Sequence, residues 1–172
     1  MVTDGPSRAG RPSIPQGRAA WPPPGGRRSR LRRGRSGPAP SGSLFHLALT
    51  FGLADDPIAG LERMAGFVET LGADAGVAEP LQMTVGVTDG ERLWAARYAS
   101  GSVANTLHYS ADVESLRELY PENERFAHFG ADSRVVVSEP LTPLPGVWHE
   151  IPAGAAIVVT KGTVDQVPFR PR

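Results

Sequence analysis

The chain changes character abruptly near residue 43, and one fold cannot span that change. Residues 1–43 hold nine of the eighteen basic residues, all Arg, against one acid, Asp4, for a net charge of +8. The same stretch holds eight Pro and eight Gly. Residues 44–172 hold the other nine basic residues against seventeen acids, for a net charge of −8. The overall neutrality is therefore a sum of two unlike parts. Residues 1–43 lack the apolar side chains that would offset the entropy of ordering them, and read as a disordered Arg/Pro/Gly-rich tail. Residues 44–172 fall in the ordinary domain range and carry enough aliphatic residues for one core.

Within the tail, Arg27 to Arg35 reads RRSRLRRGR. Clustered Arg neutralises phosphates, so a nucleic-acid or membrane-surface patch is one reading. Trp21 stands alone, however, without the aromatic interleaving that stacks bases. A nucleic-acid role therefore ranks last. Arg, Pro, Gly, Ser and Ala without periodicity are also what a GC-rich coding strand yields in the wrong frame, so the tail is further expected to be out of frame.

There is no Cys, which excludes disulfides, thiolate metal sites and a cysteine nucleophile within this chain. The apolar stretches Leu44–Leu53 and Ala153–Thr160 are too short to span a bilayer, and the N-terminus has no apolar secretory core. A cytoplasmic protein without membrane contact is the expectation.

The later residues carry regular patterns. Ser43 is placed to cap a helix over 44–51. Asp55-Asp56-Pro57 is a helix start, and Ile58, Leu61, Met64, Phe67, Val68 and Leu71 follow at helical spacing, with Gly72 as the stop. Strands are expected at 81–87 and 92–98 across the Asp89-Gly90 turn, then at 105–110 and 134–138. Residues 112–129 read as a short helix or irregular link. Segments 147–151 and 155–160 read as a final pair across Pro152-Ala153-Gly154, and the last residues, with Pro168 and Pro171, are expected to fray. The order is α+β, helices followed by antiparallel strands, and an incomplete antiparallel sandwich fits equally well.

Chemistry is sparse. His46, His108, His128 and His149 sit in no metal-ligand spacing, and no GxSxG, GxxxxGK[ST] or GxGxxG occurs. Asp55-Asp56 reads as a cap, Glu114, Glu118, Glu122 and Glu124 as a solvated face, and Trp94, Tyr109 and Trp148 as packing aromatics. No catalytic residue, metal site or cofactor is expected.

Four segments in order resemble the C-terminal half of class II glutamine amidotransferases: SLFHLALTFGLADDPIAGLERM, TVGVTDGERLWAARYASG, NTLHYS and RVVVSEPLTPLPGVWHEIPAGAAIVV. The group they resemble is the small stand-alone bacterial type. The pair Arg97-Tyr98 fits the pattern, as does Val137-Ser138-Glu139-Pro140-Leu141 followed by Trp148 and Ile151-Pro152. The resemblance runs from about Leu44 to Val159. It implies part of an N-terminal-nucleophile αββα sandwich. It also implies glutamine as the substrate of the intact family, hydrolysed to release or transfer ammonia by a Cys at the mature N-terminus.

The sequence departs from the family where that chemistry should be encoded. It has no Cys, and residues 1–43 contain nothing like the family's Asn-Gly and Arg segments. The family's acidic substrate position, in a segment like T-D-S-E, here reads Pro40-Ser41-Gly42-Ser43. The resemblance therefore implies a truncated or misframed family member that is catalytically dead as this chain. Arg97 and Tyr98 are carried as substrate-binding candidates and assigned to the scaffold or the cleft rim. The alternative is a non-catalytic regulatory half-domain packing on a complete partner. A half-sandwich leaves sheet edges open, so poor solubility or self-association through those edges is expected.

Overall fold

A computed structural model describes residues 40–172, and the expectations for residues 1–39 lie outside the described residues. In chain order the elements are helices α1 (Pro40–Thr50) and α2 (Pro57–Asp74), strands β1 (Gln82–Thr88), β2 (Arg92–Ala99) and β3 (His108–Ser110), helices α3 (Glu114–Leu119) and α4 (Glu124–Ala127), and strands β4 (Val136–Val137), β5 (Trp148–Glu150), β6 (Ala155–Thr160) and β7 (Thr163–Pro168). One antiparallel sheet has the order β1-β2-β6-β7 and a second, smaller one the order β4-β3-β5. The α+β class expected from the pattern is what the described residues form.

Three apolar cores stack these elements. Leu53, Leu61, Met64 and Ala65 of the helical layer meet Met83, Ala96 and Ala156 on one face of the larger sheet, with Phe169 just beyond β7. Its other face presents Ala95, Ala155, Ile157 and Val159 to Tyr109 and Val136 of the smaller sheet and to Leu107 and Ile151, which flank its strands. Beyond that sheet, Leu116 and Phe126 of α3 and α4 pack with Val135, Val147 and Trp148. Strand alternation explains the division: Tyr109 and Val136 look inward, while Val135 and Trp148 look out.

Several boundaries differ from the sequence expectation. Helix α1 starts at Pro40, so Ser43 lies inside it rather than capping it; Pro suits a first turn because its φ is already helical. Helix α2 begins as expected, with the Asp56 carboxylate accepting the Ala59 N–H at 3.1 Å and Pro57 in the first turn. It continues past Gly72 to Asp74. The left-handed residue that ends it is Gly76, at φ 71°, the conformation that closes many helices. Its weak Gly positions are met by packing. A Cβ at Gly66 would lie 2.6 Å from the Arg172 carbonyl oxygen, so the C-terminal residues use the bare backbone as a seat.

The third strand starts at His108, not Asn105, because the Ala104 and Asn105 carbonyls accept from Arg97 instead of a ladder partner. The Asp89-Gly90 turn forms as expected, but only Gly90 takes positive φ. The Asp89 carboxylate closes the turn by accepting the Glu91 N–H at 2.9 Å and the Arg92 N–H at 2.7 Å. This is the backbone-mimicking role that suits Asp to turns.

Two pairings correct the sequence reading outright. Segments 147–151 and 155–160 do not pair with each other. Strand β5 pairs with β3, and β6 pairs with β2 and β7, so Pro152-Ala153-Gly154 carries the chain from one sheet to the other. The C-terminus does not fray. Residues Thr163–Pro168 form edge strand β7, Phe169 is 3% exposed, and the Arg170 N–H donates to Glu62 Oε1 at 2.8 Å. Pro168 fits because an edge strand can spare an N–H.

Candidate functional site

Arg97 and Tyr98 are neighbours in sequence and strangers in space. Successive residues of a strand point to opposite faces. Arg97 therefore projects toward the smaller sheet and Tyr98 toward the helices.

Arg97 is 8% exposed. Its Nε donates to the Asn105 carbonyl at 2.7 Å and its Nη2 to the Ala104 carbonyl at 3.2 Å. Its Nη1 donates to the Ile151 carbonyl at 2.7 Å and to Glu150 Oε1 at 2.6 Å. One planar fork thus ties β2 to the loop before β3 and to the end of β5. Four of its five N–H groups are committed, so no bidentate face remains for a substrate carboxylate. Glu150, which sequence reading passes over, is 55% exposed at its side chain. Water screens such a group, so the ion pair itself is a modest part of this arrangement.

Tyr98 donates its hydroxyl to Glu69 Oε1 at 2.5 Å, and its ring lies 5.6 Å from that of Phe169. Burial, followed by the hydrogen bond and charge of Glu69, pushes its ionisation up to about 12. The neutral phenol is thus favoured in the folded state. Its contribution to stability is complete below the ordinary tyrosine value of 10.0 and is lost as pH rises from there toward about 12. Tyr98→Phe should therefore flatten the loss of urea resistance between neutral and strongly alkaline pH. An unchanged alkaline profile in that variant would disprove the role of this hydroxyl.

An apolar opening lies elsewhere, between α1, α2 and β1. It is a groove of about 520 Å³ whose lining includes Phe45, Ala48, Met64, Met83, Val85 and Val87. It runs into a second opening of about 440 Å³ that shares Phe45, Leu53, Val87 and Thr88, and adds Asp55, Asp56, Asp89, Arg92 and Trp94. Arg92 there lies 4.8 Å over the Trp94 ring and pairs with Asp89 at 3.1 Å. Two backbone hydrogen bonds, then the Arg92 side chain, hold the Asp89 carboxyl below the usual carboxylate range against the opposing effect of desolvation.

The four His do not converge, and among the described residues no group of three or more His, Asp and Glu is placed to hold a metal. No helix among the described residues is long and apolar enough to cross a membrane.

No protein-family profile matches the sequence, and no curated protein matches it either. A solved structure does: a glutamine aminotransferase class-II domain protein from Silicibacter pomeroyi, 28% identical, with a TM-score of 0.62 over 80% of this chain. The chain spans 55% of the length of that protein. The likeness supports the class II resemblance carried by the four sequence segments.

Proposed function

We propose that the chain is a class II glutamine amidotransferase module, of the small stand-alone bacterial type. In this reading it supplies the C-terminal part of an N-terminal-nucleophile αββα sandwich, truncated relative to the intact family and working in the cytoplasm. The likeness to the Silicibacter pomeroyi protein, 28% identity at a TM-score of 0.62, carries this reading. The two antiparallel sheets with helices outside them are compatible with it.

The family's reaction needs a nucleophilic thiolate, and this chain has no Cys. We infer that the chain alone does not hydrolyse glutamine. Arg97 then belongs to the scaffold, since its donors are spent on Ala104, Asn105, Ile151 and Glu150. Purified chain incubated with glutamine should release ammonia no faster than the buffer blank. Turnover that co-purifies with the chain through successive columns would overturn this inference.

A second reading, a non-catalytic module that packs on a partner, is favoured by one observation. Strand β1 is an edge of the larger sheet, and nothing among the described residues pairs with its outer side.

A further inference from the structure

The outer edge of β1 has an explicit hydrogen-bonding register. Ser100 N–H donates to the Leu81 carbonyl at 2.8 Å, and Asp89 N–H to the Arg92 carbonyl at 3.3 Å. In an antiparallel ladder both backbone groups of alternate residues face the same neighbour. Positions 81, 83, 85, 87 and 89 therefore bond β2, and the N–H and C=O groups of Gln82, Thr84, Gly86 and Thr88 face away from the sheet.

This edge lacks the charges and Pro that commonly keep sheets from pairing. From Gln82 to Thr88 there is no charge and no Pro, and among the described residues no strand pairs with the outer side of these seven residues. Its helix-side residues, Met83, Val85 and Val87, continue into the apolar groove under Phe45, which is 50% exposed. Beyond Thr88 the groove turns acidic. Among the described residues, Asp55, Asp56 and Asp89 line it against Arg92 alone.

We propose that β1 accepts an extended peptide strand from a partner polypeptide, antiparallel to β1, with alternate apolar side chains in the groove and a basic residue at its N-terminal end. Backbone bonds to Gln82, Thr84, Gly86 and Thr88 supply the affinity. The direction follows from the rest of the sheet, whose pairings are all antiparallel. An antiparallel strand places its N-terminus beside Thr88, where the carboxylates are. Charge also selects against a second copy of β1 as the occupant, because Gln82–Thr88 brings no basic residue to that end. The proposal rests on the binding-module reading and does not need the amidotransferase assignment.

The test titrates full-length chain with a labelled peptide of alternating Val and Thr led by two Arg, read by fluorescence anisotropy. The same peptide with the Arg pair moved to its C-terminus should bind at least tenfold more weakly. Gly86→Pro removes an outward N–H without touching the β1–β2 ladder, and should abolish binding. A peptide N-methylated at alternate residues makes the same test on wild-type chain, so a misfolded variant leaves the question answerable. Asp55→Asn should weaken binding severalfold and reduce its salt dependence. Equal binding of both Arg placements, or full binding of the N-methylated peptide, would overturn the proposal. So would a homodimer in sedimentation equilibrium that Gly86→Pro dissolves, which would give the edge to a second copy. Glutamine turnover plays no part in these readouts, so failure here and failure of the family reading are separable.

Discussion

Arg97→Ala is expected to be the most damaging single substitution at the sheet junction, costing about 3 kcal/mol. Removing the guanidinium orphans the carbonyls of Ala104, Asn105 and Ile151 together. An unmet buried carbonyl costs about 1–3 kcal/mol, but the exposed Asn105 segment can recruit water, so the sum falls at the lower end. Ile151 is fully buried and cannot. Against a typical stability of about 5–15 kcal/mol, such a loss should lower the melting midpoint by roughly 10 °C.

Two companions separate the causes. Glu150→Gln removes only the exposed half of the ion pair and should cost less than about 1 kcal/mol. Arg97→Lys keeps the charge but loses the planar fork, and should lie closer to the Ala variant than to wild type. If Arg97 were instead a substrate ligand, Arg97→Ala would leave the melt almost unchanged. An Ala variant within about 1 kcal/mol of wild type in urea unfolding would reject this bolting role, because one orphaned buried carbonyl alone should exceed that.

The same residue shows where sequence reading stops. That Arg97 and Tyr98 cannot share a site is legible from strand alternation alone. That Arg97 joins two sheets is not, because its acceptors are carbonyls, and any residue type carries one. The β1–β2 hairpin is legible because Asp89-Gly90 separates two strand-forming runs, and α2 because Asp56-Pro57 marks its start. Proximity misleads at β5 and β6. Both are β-rich and only a short link apart, yet Ile151 is fully buried between the sheets, and the chain changes sheet there.

Strand β7 escapes for a related reason. Pro168, Pro171 and the charge of Asp165 mask it, and its half-buried positions, Val164 and Val167, are three apart and face opposite sides of the sheet, so no period-two pattern shows. The turn before it gives no clearer signal. Lys161 takes φ 46° and Gly162 φ 77°, the left-handed pair that a two-residue hairpin needs. Lys is an uncommon residue for the first of these positions, so nothing in the residue types announces the turn. The groove along β1 is likewise invisible, since an unpaired strand edge is a property of topology.

Gly60→Ala is expected to reverse the usual sign of a glycine replacement in a helix. On propensity alone, Ala in the interior of α2 should gain about 1 kcal/mol. A Cβ at Gly60 would, however, lie 2.7 Å from both N and Cα of Leu53, and 3.1 Å from the Gly52 carbonyl carbon. These are backbone atoms, so no side-chain rotation relieves the clash. The connection between α1 and α2 would have to lift away, drawing the buried Leu53 from the core it shares with Leu61 and Met64. Arg63, which donates to the Phe51 carbonyl at 2.8 Å, resists that movement. Overpacking of this kind costs about 1–3 kcal/mol, and a clash with backbone falls in the upper part of that range, so we expect a net loss of about 1–2 kcal/mol after the propensity gain. Gly42→Ala supplies the contrast, since among the described residues nothing lies within 4 Å of a Cβ there. It sits in the first turn of α1 and should stabilise by about 0.5 kcal/mol. If both variants shifted the urea midpoint upward, the close seating of Leu53 on α2 would be refuted.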